Sequence, residues 1–206
     1  TRGYYKRSTL SPEEIEYLLK NGYIQNSHVG LRGNSHALYL VKAIGRHTLE
    51  HTFLLHTTYQ EILKYTTKAK TDETSRTNGI NPDITFTNAK GEEWALEIET
   101  GSNLRYDKEY LKRKVTLLNK KYPNRWRFIV ASTHYRKRYE TEFRIPILLR
   151  HNVPHFIKWH FSKHRHPYNP LQDGCSPDTD DKKEAEQPPK KVNSRAERGE
   201  TLAVQP

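Results

Sequence analysis

The sequence predicts an α/β fold around a mixed central sheet, and three stretches carry that expectation. Residues 126–132, WRFIVAS, form a continuous apolar run of the kind that lies in a sheet centre, buried on both faces. The stretch NPDITFTNAKGEEWALEIET reads as a hairpin, with strands over 83–87 and 93–100 and a turn at 88–91. Between hairpin and apolar run, residues 106–122 have helical spacing. Tyr110 or Leu111, Val115, Leu118 and Tyr122 share one face, and Lys108, Lys112, Arg113, Lys114, Lys120 and Lys121 lie elsewhere as a basic outer face.

The other elements follow in chain order. SPEEIEYLLKNG, residues 11–22, carries a helix start and stop: Ser11 as N-cap, Pro12 in the first turn, Glu13 and Glu14 at the positive end, and Gly22 beyond Lys20. Its apolar stripe is Ile15, Leu18 and Leu19. Residues 23–41 hold two short apolar runs around a Gly/Asn/Ser/Arg segment, a hairpin with a basic tip at Arg32. A helix followed by a hairpin is the second half of a winged helix, so residues 1–45 are expected as a partial winged-helix-like DNA-binding segment. The alternative is a helix-hairpin that only packs on the core. Residues 46–67 predict a longer helix on Leu49, Phe53, Ile62 and Leu63, and 68–81 an exposed polar loop. After the apolar run come a basic helix-like segment over 135–143 and HFIKWHF, residues 155–161, which alternates as a final strand would. From His166 the chain is Pro, Asp, Lys and Glu, and residues 166–206 are expected as a disordered charged tail behind a 46–165 α/β domain.

A chain of 206 residues has room for one ordinary domain with a small appendage and a tail. A mean hydropathy of −0.97 implies a compact core with much of the chain at the surface. No apolar run approaches the ~20 residues needed to cross a bilayer, and the first residues lack a secretory signal pattern, so a cytoplasmic protein is expected. Cys175 stands alone, which excludes an intrachain disulfide or a Cys-based zinc site and fits a reducing compartment. The absence of Met, at position 1 as elsewhere, suggests residues missing ahead of Thr1. Formal net charge is +11; the tail from His166 has six Lys/Arg against eight Asp/Glu, leaving +13 on residues 1–165. The folded part is therefore the basic part, and a polyanion, nucleic acid first, is the expected partner.

The chemistry concentrates in the 83–99 hairpin. Asp83 opens one strand and Glu97 sits in its neighbour. Because side chains alternate, Glu97 and Glu99 project from one face, with Leu96 and Ile98 on the other. Two carboxylates on one face of an apolar strand repel unless a cation or proton intervenes. Mg²⁺ or Mn²⁺, held by hard oxygens from one or two carboxylates plus water and phosphate, is the expected cofactor, with Asp83, Glu97 and Glu99 as the ligand set. The bland alternative is a solvent-facing acidic strand with Asp83 as a turn former after Pro82.

Pro82-Asp83 followed by Glu97-Ile98-Glu99 in an apolar strand and then by a basic helix resembles the PD-(D/E)xK nuclease superfamily. That resemblance covers about 90 residues, from Arg46 to Ser132. It implies a metal-dependent phosphodiesterase in which the acidic pair holds the metal and water attacks phosphorus. More loosely, the 23–41 hairpin, His47-Thr48-Leu49 and the Glu99-Thr100-Gly101 ending are similar to the replication-relaxation proteins of plasmids and integrative elements. The superfamily usually carries Lys two residues after the strand acid, and this chain has Glu99 there. A lysine from the next helix substitutes in some members, which makes Lys108 or Lys112 the expected catalytic cation, with Glu99 as third ligand or water-orienting base.

The expected activity is thus a DNA endonuclease or nickase serving replication or transfer of a mobile element. The rival is a non-catalytic DNA-binding module that recruits replication or conjugation machinery. Arg32, Arg105, Lys112, Arg113, Arg136, Lys137 and Arg138 are the candidate nucleic-acid contacts; around the last three, Tyr135 and Tyr139 interleave with the basic residues as stacking on unpaired bases would require. Glu50 or Glu61 is a candidate extra acid or a solvated face residue. His47 and His51, four apart, lack a third zinc ligand at diagnostic spacing and read as surface or phosphate-contacting histidines. No P-loop, Ser or Cys nucleophile motif or His-hydrophobe-His strand is present. A dimer is a plausible assembly.

Overall fold

A computed structural model describes residues 3–44, 47–72, 81–145 and 147–162. The tail expected to be disordered, Cys175 and most of the expected 68–81 loop lie outside the described residues. The chain is mixed α/β, with a three-stranded and a five-stranded sheet.

The N-terminal part is a small sheet with one helix. Strand β1 (Tyr4–Lys6) and a 3-10 turn lead to α1 (Pro12–Lys20), then β2 (Tyr23–Val29) and β3 (His36–Lys42). Helix α1 starts on a capping box: Ser11 Oγ accepts the Glu14 N–H at 3.2 Å and Glu14 Oε2 accepts the Ser11 N–H at 2.8 Å. β2 and β3 pair antiparallel as the sequence predicts; β1, which it does not, adds to the far side of β3 with Tyr5 opposite Leu40. Leu18, Tyr23 and Leu40 form a cluster of their own beneath α1.

Helix α2 (Leu49–Leu63) joins the two sheets. Thr48 caps it, its Oγ1 accepting the His51 N–H at 3.1 Å. The Phe53 ring meets Tyr4 at 5.4 Å and Tyr39 at 4.6 Å on the small sheet. Leu54, Leu55 and Ile62 instead pack into the main core. A helix buried on so many sides shows no clean apolar stripe in sequence.

The main sheet has the order β4-β5-β6-β7-β8, from β4 (Ala69–Thr71), β5 (Ile84–Thr87), β6 (Glu93–Glu99), β7 (Trp126–Val130) and β8 (Ile147–Leu149). The first three run as an antiparallel meander; β7 and β8 then continue parallel to β6. β7, the WRFIVAS run, lies between β6 and β8, as the apolar composition requires. Part of the expected 68–81 loop is strand β4, which covers the edge of β5. The parallel pairs need crossovers. Helices α3 (Ser102–Tyr106) and α4 (Lys108–Lys121) supply the first and α5 (Thr133–Phe143) the second. Asp107 splits the helix expected over 106–122, its Oδ1 capping α4 through the Tyr110 N–H at 3.0 Å.

The segment 155–161, expected as a strand, is helix α6 (Val153–Phe161). Its buried residues are Val153, Pro154, Phe156, Ile157 and His160, a helical stripe that looks like alternation only if His160 is counted as polar.

Alternation along β6 builds a three-layer arrangement. Trp94, Leu96 and Ile98 point into a core shared with α2 and α6, while Ala95 points into a second core with α4 and α5. Glu97 and Glu99 share the Ala95 face, so both carboxylates enter apolar surroundings.

Candidate active site

The carboxylates gather at the end of β6 where the parallel strands terminate, the edge at which open α/β sheets place ligands. Ile84 pairs with Leu96, so one rung further Asp83 comes beside Glu97. The two are tied through backbone. The Asp83 N–H donates to Glu97 Oε2 at 3.3 Å, and the Ile98 N–H donates to Asp83 Oδ2 at 2.7 Å. Asp83, Glu97 and Glu99 are 6%, 2% and 1% exposed.

The cation among them is Lys114. It lies in the buried face of α4 with Leu111, Val115 and Leu118, and its Nζ donates to Glu97 Oε1. The Nζ also sits 5.7 Å from the centre of the Tyr110 ring. Lys108 and Lys112, the expected catalytic lysines, lie away from the carboxylates: Lys108 pairs with Glu142 at 3.1 Å and Lys112 with Glu109 at 2.8 Å, both on the exposed side. Position 114 lies three residues after Leu111 and four before Leu118, so helical spacing places it on the buried face. Charge alone argued for the other side.

His51 is the second group outside the expected set. It is buried on α2, and its Nε2 lies 3.2 Å from Asp83 Oδ2. The His47 ring stacks on it at 4.2 Å and 8°. His51 is therefore not the surface histidine the sequence predicts, whereas His47 is exposed. The signal for His51 was its place three and four residues before Leu54 and Leu55, on the core side of α2.

Glu99 faces a different environment. Tyr139 donates to its Oε2 at 2.8 Å and Asn103 Nδ2 to its Oε1 at 3.2 Å. Just beyond, Gly101 has φ +89°, and a Cβ there would meet the Tyr135 ring at 2.3 Å, so the turn out of β6 admits only glycine. Asp83, Glu97 and Glu99 share a sheet face but not a focus. Among the described residues, no group of three or more His, Cys, Asp or Glu side chains is gathered as a metal-holding cluster.

Electrostatics separates the three acids. Burial raises Asp83, but His51, Lys114 and the Ile98 N–H outweigh it and hold the carboxyl below its usual range. Burial and the Asp83 charge push Glu97 well above the usual glutamate value despite Lys114. Burial also raises Glu99, against the hydrogen bonds from Tyr139 and Asn103. For Lys114, the neighbouring Glu97 and Asp83 charges overcome desolvation, so the ammonium stays charged. Three buried acids thus share one buried lysine, an excess of negative charge that favours a proton or a further cation.

The expected nucleic-acid contacts divide. Arg105, Lys112, Arg113, Arg136, Lys137 and Arg138 lie on α3, α4 and α5, the layer over the face that Glu97 and Glu99 enter. Arg136 is paired with Glu140 at 2.8 Å. Arg32 folds back instead onto Glu61 at 2.7 Å, which Lys64 also holds; Glu61 is buried rather than a solvated face residue, and it anchors the hairpin tip. Glu50 lies one residue before His51 but turns to a separate cavity. No helix among the described residues is long and apolar enough to cross a membrane. Searches against family models, curated proteins and solved structures match nothing to this chain.

Proposed function

We propose that the chain is a metal-dependent DNA phosphodiesterase of the PD-(D/E)xK type, an endonuclease or nickase, in which Lys114 takes the part of the missing motif lysine. The observation that carries this reading is the buried Lys114 ammonium on Glu97, beside Asp83 at the end of β6. The order of elements supports it: a helix, a three-stranded antiparallel meander, a helix and a parallel strand.

Asp83 and Glu97 would hold Mg²⁺ or Mn²⁺. The donor chemistry fits, since both are buried oxygen ligands where negative charge is in surplus, and Asp83 Oδ1 has no hydrogen-bond partner among the described residues. Such an ion supplies Lewis acidity and lowers the pKa of its water. Lys114, fixed by Glu97, offers an ammonium to the charge that develops on the phosphoryl oxygens. His51 orients Asp83. Glu99, tied to Tyr139 and Asn103, positions the strand end and is not needed as a ligand. The basic helices α3, α4 and α5 give the DNA backbone a surface next to the site. A role in replication or transfer of a mobile element, with a cytoplasmic location, replication or conjugation proteins as partners and a dimeric assembly, rests on the sequence resemblance alone.

A second reading, a non-catalytic DNA-binding module, is favoured by one observation: Lys114 and His51 already engage Glu97 and Asp83. Supercoiled and single-stranded DNA incubated with Mg²⁺ or Mn²⁺ separates the two. Cleavage by the native chain that is lost in Asp83→Ala and Glu97→Ala supports the enzyme. DNA binding without cleavage supports the module, and cleavage that persists in both variants rejects the site.

A further inference from the structure

A cavity of about 290 Å³ opens between the β2–β3 hairpin, the first turn of α2 and the end of the main sheet. His28, Asn26, Phe53, Glu50, Ala131 and Arg150 contribute to its wall. It adjoins the carboxylate site through consecutive residues, because α2 sends Glu50 to the cavity and His51 to Asp83.

Three observations indicate what it can hold. His28 is 6% exposed and lies flat on Phe53, with ring centres 4.5 Å apart and planes 9° from parallel. Its Nε2 is buried and has no hydrogen-bond partner among the described residues, a cost the fold bears unless a ligand satisfies it. Burial and the nearby His36 lower its pKa, so the ring is neutral at physiological pH and offers one donor and one acceptor. On another part of the wall, Arg150 is anchored by Nη1 on the Ala131 carbonyl at 2.9 Å. Glu50, an exposed residue of the lining whose carboxyl feels the Arg150 charge, makes no ion pair or hydrogen bond among the described residues.

A phosphate is the wrong guest for this wall, since the Glu50 carboxylate would repel it. A flat heterocycle with both donors and acceptors fits better. Guanine presents an acceptor oxygen and two adjacent N–H donors on its pairing edge, the complement of a guanidinium next to a carboxylate. We infer that this cavity receives one unstacked guanine base, read by Arg150 and Glu50 and capped by His28, beside the carboxylate site. The inference rests on the nucleic-acid reading of that site. It makes the protein a reader of one extruded or unpaired base next to the phosphate it acts on.

The test is equilibrium binding of fluorescent thymidine oligonucleotides carrying one central guanine, adenine, cytosine or abasic position, without divalent metal. The guanine strand is expected to bind about tenfold more tightly than the abasic strand. Glu50→Gln is expected to erase that preference while affinity for the abasic strand persists. His28→Phe, which keeps the stack on Phe53 and removes the ring nitrogens, is expected to weaken the preference in part. Equal affinity for all four strands overturns the guanine pocket and leaves the nuclease reading standing. Failure to bind any strand overturns the nucleic-acid reading itself. Guanosine monophosphate as competitor then identifies the source of the base: weak displacement marks a base presented by a strand, and displacement as tight as the oligonucleotide marks a free nucleotide. Either supports guanine, and equal competition by adenosine monophosphate overturns it.

Discussion

Glu61 near the end of α2 and Glu97 in β6 are both buried and both bound to lysine, yet their surroundings are opposite. Glu61 takes Arg32 and Lys64, two cations whose side chains are 67% and 55% exposed, so its charge is more than matched and its partners remain in water. Glu97 shares one lysine, itself buried, with Asp83, and Glu99 adds a third charge nearby. The first arrangement is what a fold uses to anchor a hairpin. The second keeps unsatisfied charge in a protected place, which costs stability and is the usual mark of a site that binds or transforms something.

The largest expected effect comes from breaking the second arrangement. Lys114→Met leaves the carboxylates without their buried cation, a loss of about 3–5 kcal/mol of folding stability by urea denaturation at neutral pH. The loss should shrink in acid, where the acids take up protons. A fall no larger than that of an exposed lysine would place Lys114 outside the buried network.

The pH dependence of the native chain sharpens the contrast. Glu97 and Glu99 are raised in the fold, so what they contribute is complete below the ordinary glutamate value of 4.5 and is lost as pH climbs through their raised values. Asp83, held low, contributes above its ordinary value and loses that contribution only as pH falls through its lowered one. His28 and His47, held low by burial, pull the other way as pH rises towards 6.5, so the reading is the difference between the native chain and a Glu97→Gln, Glu99→Gln variant. The thermal midpoint of the native chain relative to that variant should fall between about pH 5 and pH 8, and Mn²⁺ should restore more of it at the higher pH. A relative midpoint that rises over this interval would contradict the assigned shifts.

Tyr139→Phe removes one donor from Glu99 while Asn103 remains, and should cost about 1–3 kcal/mol. Glu99→Gln is expected to keep cleavage while Glu97→Gln loses it; equal loss in both would return Glu99 to the ligand set. The smallest effect is Arg32→Ala. Glu61 keeps Lys64 and Arg32 is well exposed, so calorimetry should find at most about 1 kcal/mol.

Local signals explain which features were legible in the sequence. The Ser11–Glu14 capping box, the 83–99 hairpin and the apolar run of β7 each declare themselves within about twenty residues. β1 and β8 do not, because three-residue strands exist only through distant partners; Tyr5 pairs with Leu40. Within the site, Asp83, Glu97 and Glu99 were visible from strand alternation, which places carboxylates on a face without saying where each one turns. Lys114 and His51 were hidden by a single assumption, that a charged or titratable residue on a helix faces water. In both cases the helical spacing, three or four residues from buried leucines, pointed the other way.

The most direct measurement compares plasmid cleavage with Mn²⁺ by the native chain, by Lys114→Met and by a Lys108→Met, Lys112→Met double variant, each checked for folding by circular dichroism. Folded Lys114→Met is expected to lose about a hundredfold or more in rate. At saturating plasmid, where any contribution of Lys112 to DNA binding no longer limits the rate, the double variant should cleave within a few-fold of native. Cleavage that survives loss of Lys114, or disappears with Lys108 and Lys112, would contradict the account.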